Sequence, residues 1–212
     1  MGKTILFDLD GTLTDSGEGI INCVSLTLQH YGIALPPRDQ LRVFVGPPLH
    51  KTFADFGIPK DQLNEAVIYY RKYYNIDGKF QNYPYPGMID LLIKLKQEGH
   101  KLYVATSKPE HTSKEILEKF DMTQYFEAIV GSIADGDHDS KADVIRRTLE
   151  KAEQKDAVIM VGDTVFDVEG ANAHNIPTVA VGWGFGSIDD MIAAGAKTVV
   201  YTMDELHNAL NE

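Results

Sequence analysis

Cysteine is nearly absent: Cys23 stands alone among 212 residues. An internal disulfide is therefore excluded, and a reducing cytoplasm is the natural setting. Cys23 sits in "GIINCVSLTL", whose apolar spacing places it on a helix face rather than at a reactive site. Positive charge is also scarce. Lys and Arg number 20 against 31 Asp and Glu, a formal net charge of -11. A nucleic-acid polymer is bound through a surplus of Lys and Arg, so that class of partner is excluded. A small phosphorylated ligand needs only a few local cations and stays open. No apolar run approaches a membrane span, so no membrane partner is expected. The opening "MGKTILFDLD" carries acids and too short an apolar run for a signal peptide. Gly2 does not make a myristoylation motif, because Leu6 stands where Ser or Thr is needed. Repeats and low-complexity tracts are missing too.

What remains is a chain that is 43% hydrophobic, enough for one large domain or a domain with an insert. Short apolar runs read as buried parallel strands at 4–9, 101–106, 157–162 and 177–182, with further candidates at 126–131 and 197–201. Helical patterns alternate with them: "GMIDLLIKLKQEG", "HTSKEILEKFDM", "KADVIRRTLEKAE" and "DVEGANAHNI". Such alternation predicts an α/β fold with a doubly wound parallel sheet. The rhythm breaks between about Gly17 and Tyr85. There "GIINCVSLTLQHYG", "RDQLRVFVG", "LHKTFADFG" and "KDQLNEAVIYYRKYYN" read as consecutive helices. The expected organisation is an α/β core of residues 1–16 and 86–212, with a helical cap domain of residues 17–85. An insert after the first strand belongs at the carboxyl edge of the sheet, where ligands bind in open α/β folds. A lid there can exclude water.

The residues with chemistry gather at predicted strand ends. "TILFDLDGTLTDS" closes an apolar run with Asp8 and Asp10, followed by Gly11 and Thr12. Charges beside a core are costly, so something must compensate them. A turn or helix cap would also use Asp, Gly and Thr. "VIMVGDTVFD" repeats the pattern with Asp163 and Asp167. Either could be a helix cap or a solvated side chain alone. Together, two strands delivering carboxylates to one edge suit a hard cation such as Mg²⁺. "YVATSKPE" places Thr106 at a third strand end, with Ser107 and Lys108 after it. These are candidate phosphate contacts, although turn chemistry before Pro109 also accounts for Ser107 and Lys108. Lys141 opens a predicted helix after an acidic loop and could neutralise the site. That loop, "DGDHD" at 135–139, lacks the Gly and Glu of a calcium loop and reads as a solvated turn.

These pieces, in this order, resemble the haloacid dehalogenase superfamily, whose motifs appear as "DLDGT" (8–12), "VAT" (104–106), Lys141 and "GDTVFD" (162–167). "FDLDGTLTDS", "VGPPL" and "TSKPE" are similar to its phosphoglycolate phosphatase-like branch and to bacterial proteins described as 5′-nucleotidases. The resemblance implies a Rossmann-like core with a small helical cap. It implies a Mg²⁺-dependent, cytoplasmic phosphatase of small phosphomonoesters, a monomer or homodimer. Asp8 would be the nucleophile and Asp10 the general acid and base. Asp8, the Asp10 backbone carbonyl and Asp163 would hold Mg²⁺, with Asp167 assisting. Thr106 and Lys141 would bind the transferring phosphoryl group. Gly11, Thr12, Ser107, Lys108 and, from the cap, Arg42 are the candidate substrate contacts. His50, Lys51, Arg71, Trp183 and Phe185 are weaker ones. Three other readings stand beside this one: a 5′-nucleotidase acting on nucleoside monophosphates, a sugar-phosphate mutase, and a non-catalytic phosphoprotein-binding module. Asp8, Asp10, Lys141 and Asp163 are all present, which speaks against a retired site.

Overall fold

The computed structural model describes residues 2–133, 139–153 and 157–212. The chain divides into two compact units. One comprises the amino-terminal stretch through Asp15 together with Pro84–Glu212; the other is Ser16–Tyr83. The first unit holds six parallel strands: β1 (Thr4–Phe7), β2 (Lys101–Pro109), β3 (Ala128–Ser132), β4 (Val158–Gly162), β5 (Thr178–Val181) and β6 (Thr198–Val200). Their spatial order is β3-β2-β1-β4-β5-β6. The order reverses at β1, and that is where a doubly wound sheet opens its ligand crevice.

The helical unit contains α1 (Gly17–His30), α2 (Leu49–Asp55) and α3 (Leu63–Ile76). Phe44, Phe53 and Tyr70 fill its interior, with ring centroids of Phe44 and Phe53 5.1 Å apart. The segment expected as a helix at 38–46 is instead a 3-10 turn, Arg38–Phe44. Pro36 and Pro37 precede it, and the few residues before Gly46 are too short a run to repay helix nucleation.

In the sheet unit, α4 (Met88–Gln97), α5 (Glu110–Lys119), α6 (Lys141–Lys151), α7 (Val165–Asn172), α8 (Ile188–Ala193) and α9 (Met203–Asn211) cover the strands. Side chains alternate across a strand, so β1 serves both faces. Ile5 and Phe7 pack with Met88, Leu92, Leu95, Leu206 and Leu210. Leu6 points the other way, with Met160, Val144, Ile145 and Ala171. All four residues of β1 are fully buried, as a central parallel strand requires. Truncating Phe7 to alanine would cost about 3–5 kcal/mol.

Several boundaries differ from the sequence expectation for local reasons. β1 stops at Phe7 because the Leu9 carbonyl accepts from the N–H groups of Thr12, Leu13 and Thr14, which curls the chain into a turn. β2 continues to Pro109 through a register shift between Ala105 and Pro109. α7 begins earlier, at Val165, since Thr164 and Asp167 form a capping box. The short α8 and the terminal α9 add to the helices expected from the sequence pattern. Of the acidic loop at 135–139, only Asp139 lies within the described residues. It accepts from the Ile133 N–H at 2.8 Å and pairs with Arg147 at 3.0 Å. Among the described residues, no helix is long and apolar enough to cross a membrane.

Candidate active site

The carboxyl ends of β1 and β4 bring the acidic motifs together. Asp8 follows β1 directly, and its N–H still donates to the Val161 carbonyl of β4 at 2.9 Å. Asp163 follows β4, and Asp167 sits in the first turn of α7. Asp8, Asp163 and Asp167 each offer an oxygen within 4.8 Å of the others, and all three are buried. One Asp167 oxygen is committed to α7: Oδ2 accepts from the Thr164 N–H at 3.0 Å and its hydroxyl at 2.8 Å.

Lys141 reaches this cluster from the first position of α6. Ser140 caps that helix, with Asp143 completing a capping box. The ammonium lies 2.8 Å from Asp8 Oδ1, 2.7 Å from Asp167 Oδ1 and 3.0 Å from the Ala105 carbonyl it donates to. The ammonium donates a hydrogen bond to one carbonyl and lies within ion-pair distance of two carboxylates. Lys141 is thus a tie between β1, β2 and α7 as well as a neutralising charge.

One ammonium against three carboxylates leaves the cluster net negative. Burial pushes Asp8 up to about 6, with Lys141 opposing and Asp167 and Asp10 adding to the rise. Burial, and then the Asp167 and Asp8 charges, hold Asp163 well above the usual carboxylate range, against bonds from Phe185 and Thr12. Burial works to lower Lys141, but Asp167 and Asp8 outweigh it and keep the ammonium charged. Crowded, buried, oxygen-only donors with surplus negative charge fit a hard divalent cation.

The other candidates are placed as follows. Asp10 stands outside the three-carboxylate cluster. Its Oδ2 pairs with Lys108 Nζ at 2.6 Å, and its buried Oδ1 has no hydrogen-bond partner among the described residues. Thr106 is buried, and its hydroxyl accepts from the Lys108 N–H at 3.2 Å, which stabilises the β2 irregularity. Ser107 is half-buried beside it. Thr12 and Gly11 form part of the turn after β1. The Thr12 hydroxyl donates to Asp163 Oδ1 at 3.1 Å, and its N–H goes to Leu9. The Gly11 N–H goes to the Thr14 carbonyl. Gly11 has φ 84°, and a Cβ there would sit 2.1 Å from Asp163 Oδ2, so only glycine fits. Both residues build the turn. Arg42 is exposed on the 3-10 turn of the helical unit.

The loop "GWGFGS" (182–187), whose Trp183 and Phe185 the sequence offers only as weaker candidates, is tied directly to the acidic cluster. The Phe185 N–H donates to Asp163 Oδ2 at 2.9 Å, and the Trp183 indole N–H donates to the Thr12 carbonyl at 3.2 Å. Its alternate glycines were the available signal, since backbone must approach something closely there.

A six-stranded parallel sheet with an acidic cluster and a buried lysine at its reversal point defines a phosphate- or metal-handling α/β hydrolase core. Comparison with known proteins makes this specific. The family model described as "Haloacid dehalogenase-like hydrolase" matches residues 5–181. The chain belongs to the haloacid dehalogenase-like hydrolase family. It is 41% identical over 211 residues to a protein of Mycobacterium tuberculosis named tyrosine-protein kinase PtkA, covering 98% of this chain and 72% of that one. It is 40% identical over 191 residues to a 5′-nucleotidase of Pseudomonas aeruginosa, covering 89% of this chain and 86% of that one. The crystal structure of a predicted phosphatase from Clostridium acetobutylicum matches with a TM-score of 0.93 and 44% identity, covering 100% of this chain and 99% of the other.

Proposed function

We propose that the chain is a Mg²⁺-dependent phosphatase of small phosphomonoesters, phosphoglycolate phosphatase-like, working through an aspartyl-phosphate on Asp8. The convergence of Asp8, Asp163, Asp167 and Lys141 is the observation that carries this reading. Asp8, Asp163 and Asp167 are the side chains to hold or surround the cation, with the Asp10 carbonyl as a further oxygen donor. Bound Mg²⁺ supplies charge neutralisation on the phosphoryl oxygens.

The chain's own groups do the rest. A carboxylate oxygen of Asp8 attacks phosphorus as the bond to the ester oxygen breaks. Asp10 gives a proton to the departing alkoxide, then takes one from the water that attacks the phospho-aspartate. That second attack breaks the bond between phosphorus and Asp8 and releases inorganic phosphate. Lys141 keeps the nucleophile oriented and offsets repulsion between two anions. Thr106, at the irregularity of the adjacent strand β2, is the residue to meet the phosphoryl group. Phosphoryl transfer needs positioning and charge compensation more than covalent novelty, and this site is built for both.

Preference for nucleoside monophosphates is the second reading, favoured by 40% identity to the Pseudomonas 5′-nucleotidase. Phosphate release with Mg²⁺ should be compared by kcat/KM across phosphoglycolate, nucleoside monophosphates and sugar phosphates. An arm with ATP and a tyrosine-containing polypeptide belongs in the same test, given the relative named as a kinase. Turnover that Asp8→Asn abolishes supports the reading; turnover that survives Asp8→Asn overturns it.

A further inference from the structure

The hydrogen bonds of loop 182–187 close a ring. The Thr12 hydroxyl donates to Asp163 Oδ1. Asp163 Oδ2 accepts from the Phe185 N–H. Two residues back along the chain, the Trp183 indole N–H returns to the Thr12 carbonyl. The turn that carries Asp8 and Asp10 is thereby locked to the carboxylate on the neighbouring strand. Tyr85 braces the same ring: its hydroxyl donates to the Trp183 carbonyl at 3.4 Å, and its N–H donates to the Leu13 carbonyl at 3.2 Å. The ring is sterically tight, because a Cβ on Gly184 would lie 2.3 Å from Asp163 Cβ.

We propose that Trp183 is a positioning residue of the metal and nucleophile centre, fixing the Asp8–Thr12 turn against Asp163 through its indole N–H. The inference rests on the phosphatase reading for its kinetic consequence, but not for its effect on cation binding. Removing the N–H frees the Thr12 carbonyl. The Thr12 hydroxyl then no longer has a fixed direction toward Asp163, and the spacing of Asp163 from Asp8 loosens. Small misplacements of this kind slow chemistry far more than they weaken substrate binding.

The test uses the full chain with Trp183→Phe, which keeps an aromatic ring, and Trp183→Leu, which does not. Calorimetric Mg²⁺ titration should give Trp183→Phe a several-fold weaker dissociation constant, with a melting temperature within a few degrees of the parent. kcat should fall about tenfold with KM nearly unchanged. Trp183 is also the single tryptophan, so its emission in the unmodified protein reports the ring directly. Mg²⁺ should change that emission saturably, at the calorimetric midpoint, and Asp163→Asn should abolish the response. Wild-type Mg²⁺ affinity in Trp183→Phe with losses confined to Trp183→Leu would reduce Trp183 to packing and overturn the inference. Emission indifferent to Mg²⁺ in the parent would do the same. If the parent releases no phosphate from any substrate, the reaction reading fails, while the Mg²⁺ titration and emission still decide the role of Trp183.

Discussion

Lys108 Nζ lies 2.6 Å from Asp10 Oδ2, and the two side chains are only 7% and 14% exposed. The contact joins the irregular end of β2 to the turn after β1. Asp10 is therefore not a loose carboxylate awaiting a substrate. Its position is set by a cation delivered from the neighbouring strand. Lys108→Met should lower kcat about tenfold, near 1.4 kcal/mol of barrier, and should lower the melting temperature as well, because Asp10 is left largely buried without its cation. Lys108→Arg should fall between the two. Wild-type kcat in Lys108→Met would show that the pair contributes nothing to turnover.

Lys141 is the sole cation within 4 Å of the Asp8 and Asp167 carboxylates among the described residues. Deleting one partner of a buried charge cluster costs about 3–5 kcal/mol, because the remaining charges stay buried without compensation. For a chain of this size, that corresponds to roughly 6–20 °C in Tm. Metal-free Lys141→Met should melt lower by that amount at neutral pH, and Mg²⁺ should restore part of the loss. A melting temperature unchanged from the parent would refute this account.

The pH dependence of metal binding follows from the raised Asp8, at about 6. A carboxyl raised on folding holds its proton more tightly folded than unfolded. Its contribution to metal-free stability is therefore present in acid and lost as pH rises through about 6. Asp163, also raised by burial, acts in the same direction. Mg²⁺ binds the deprotonated cluster, so its stabilising effect must grow over the same window. The Mg²⁺-induced rise in Tm should be near zero around pH 5 and largest above about pH 7. A rise that is flat across this range would contradict the linkage.

Gly162 packs so closely on Asp167 that a Cβ would lie 2.3 Å from its carboxyl carbon. Gly162→Ala must displace Asp167 from Thr164 and Lys141. Overpacking at a site with no room costs about 1–3 kcal/mol. The variant should also bind Mg²⁺ more weakly, readable by calorimetry. Thr164→Ala removes only a cap, with a cost of about 1 kcal/mol and a smaller loss of Mg²⁺ affinity. Equal effects from the two variants would count against the steric argument.

Much of the sheet was legible in the sequence because buried parallel strands are apolar on both faces. Thr4–Phe7 and Val158–Gly162 stand out as such runs. The acids at their ends were legible for the opposite reason, since charge next to such runs needs an explanation. The turn residues were harder. Thr12 reads as a hydroxyl available to a ligand, yet its partner Asp163 is 151 residues away. Lys108 reads as turn chemistry until Asp10, 98 residues distant, is brought beside it. The helix α9 was missed because its apolar positions are few, and Leu206 and Leu210 gain meaning only by packing against α4.

By itself the sequence determined the periodicity of the elements, the single cysteine, and which strands end in carboxylates. Those properties are local, carried by side-chain polarity and spacing. Tertiary structure alone decided which charges pair. Lys141 chooses Asp8 and Asp167, Lys108 chooses Asp10, and Trp183 and Phe185 close on Thr12 and Asp163. Pairing depends on distances of a few ångströms between strand ends far apart in the chain. Only the order of the strands in the sheet fixes them.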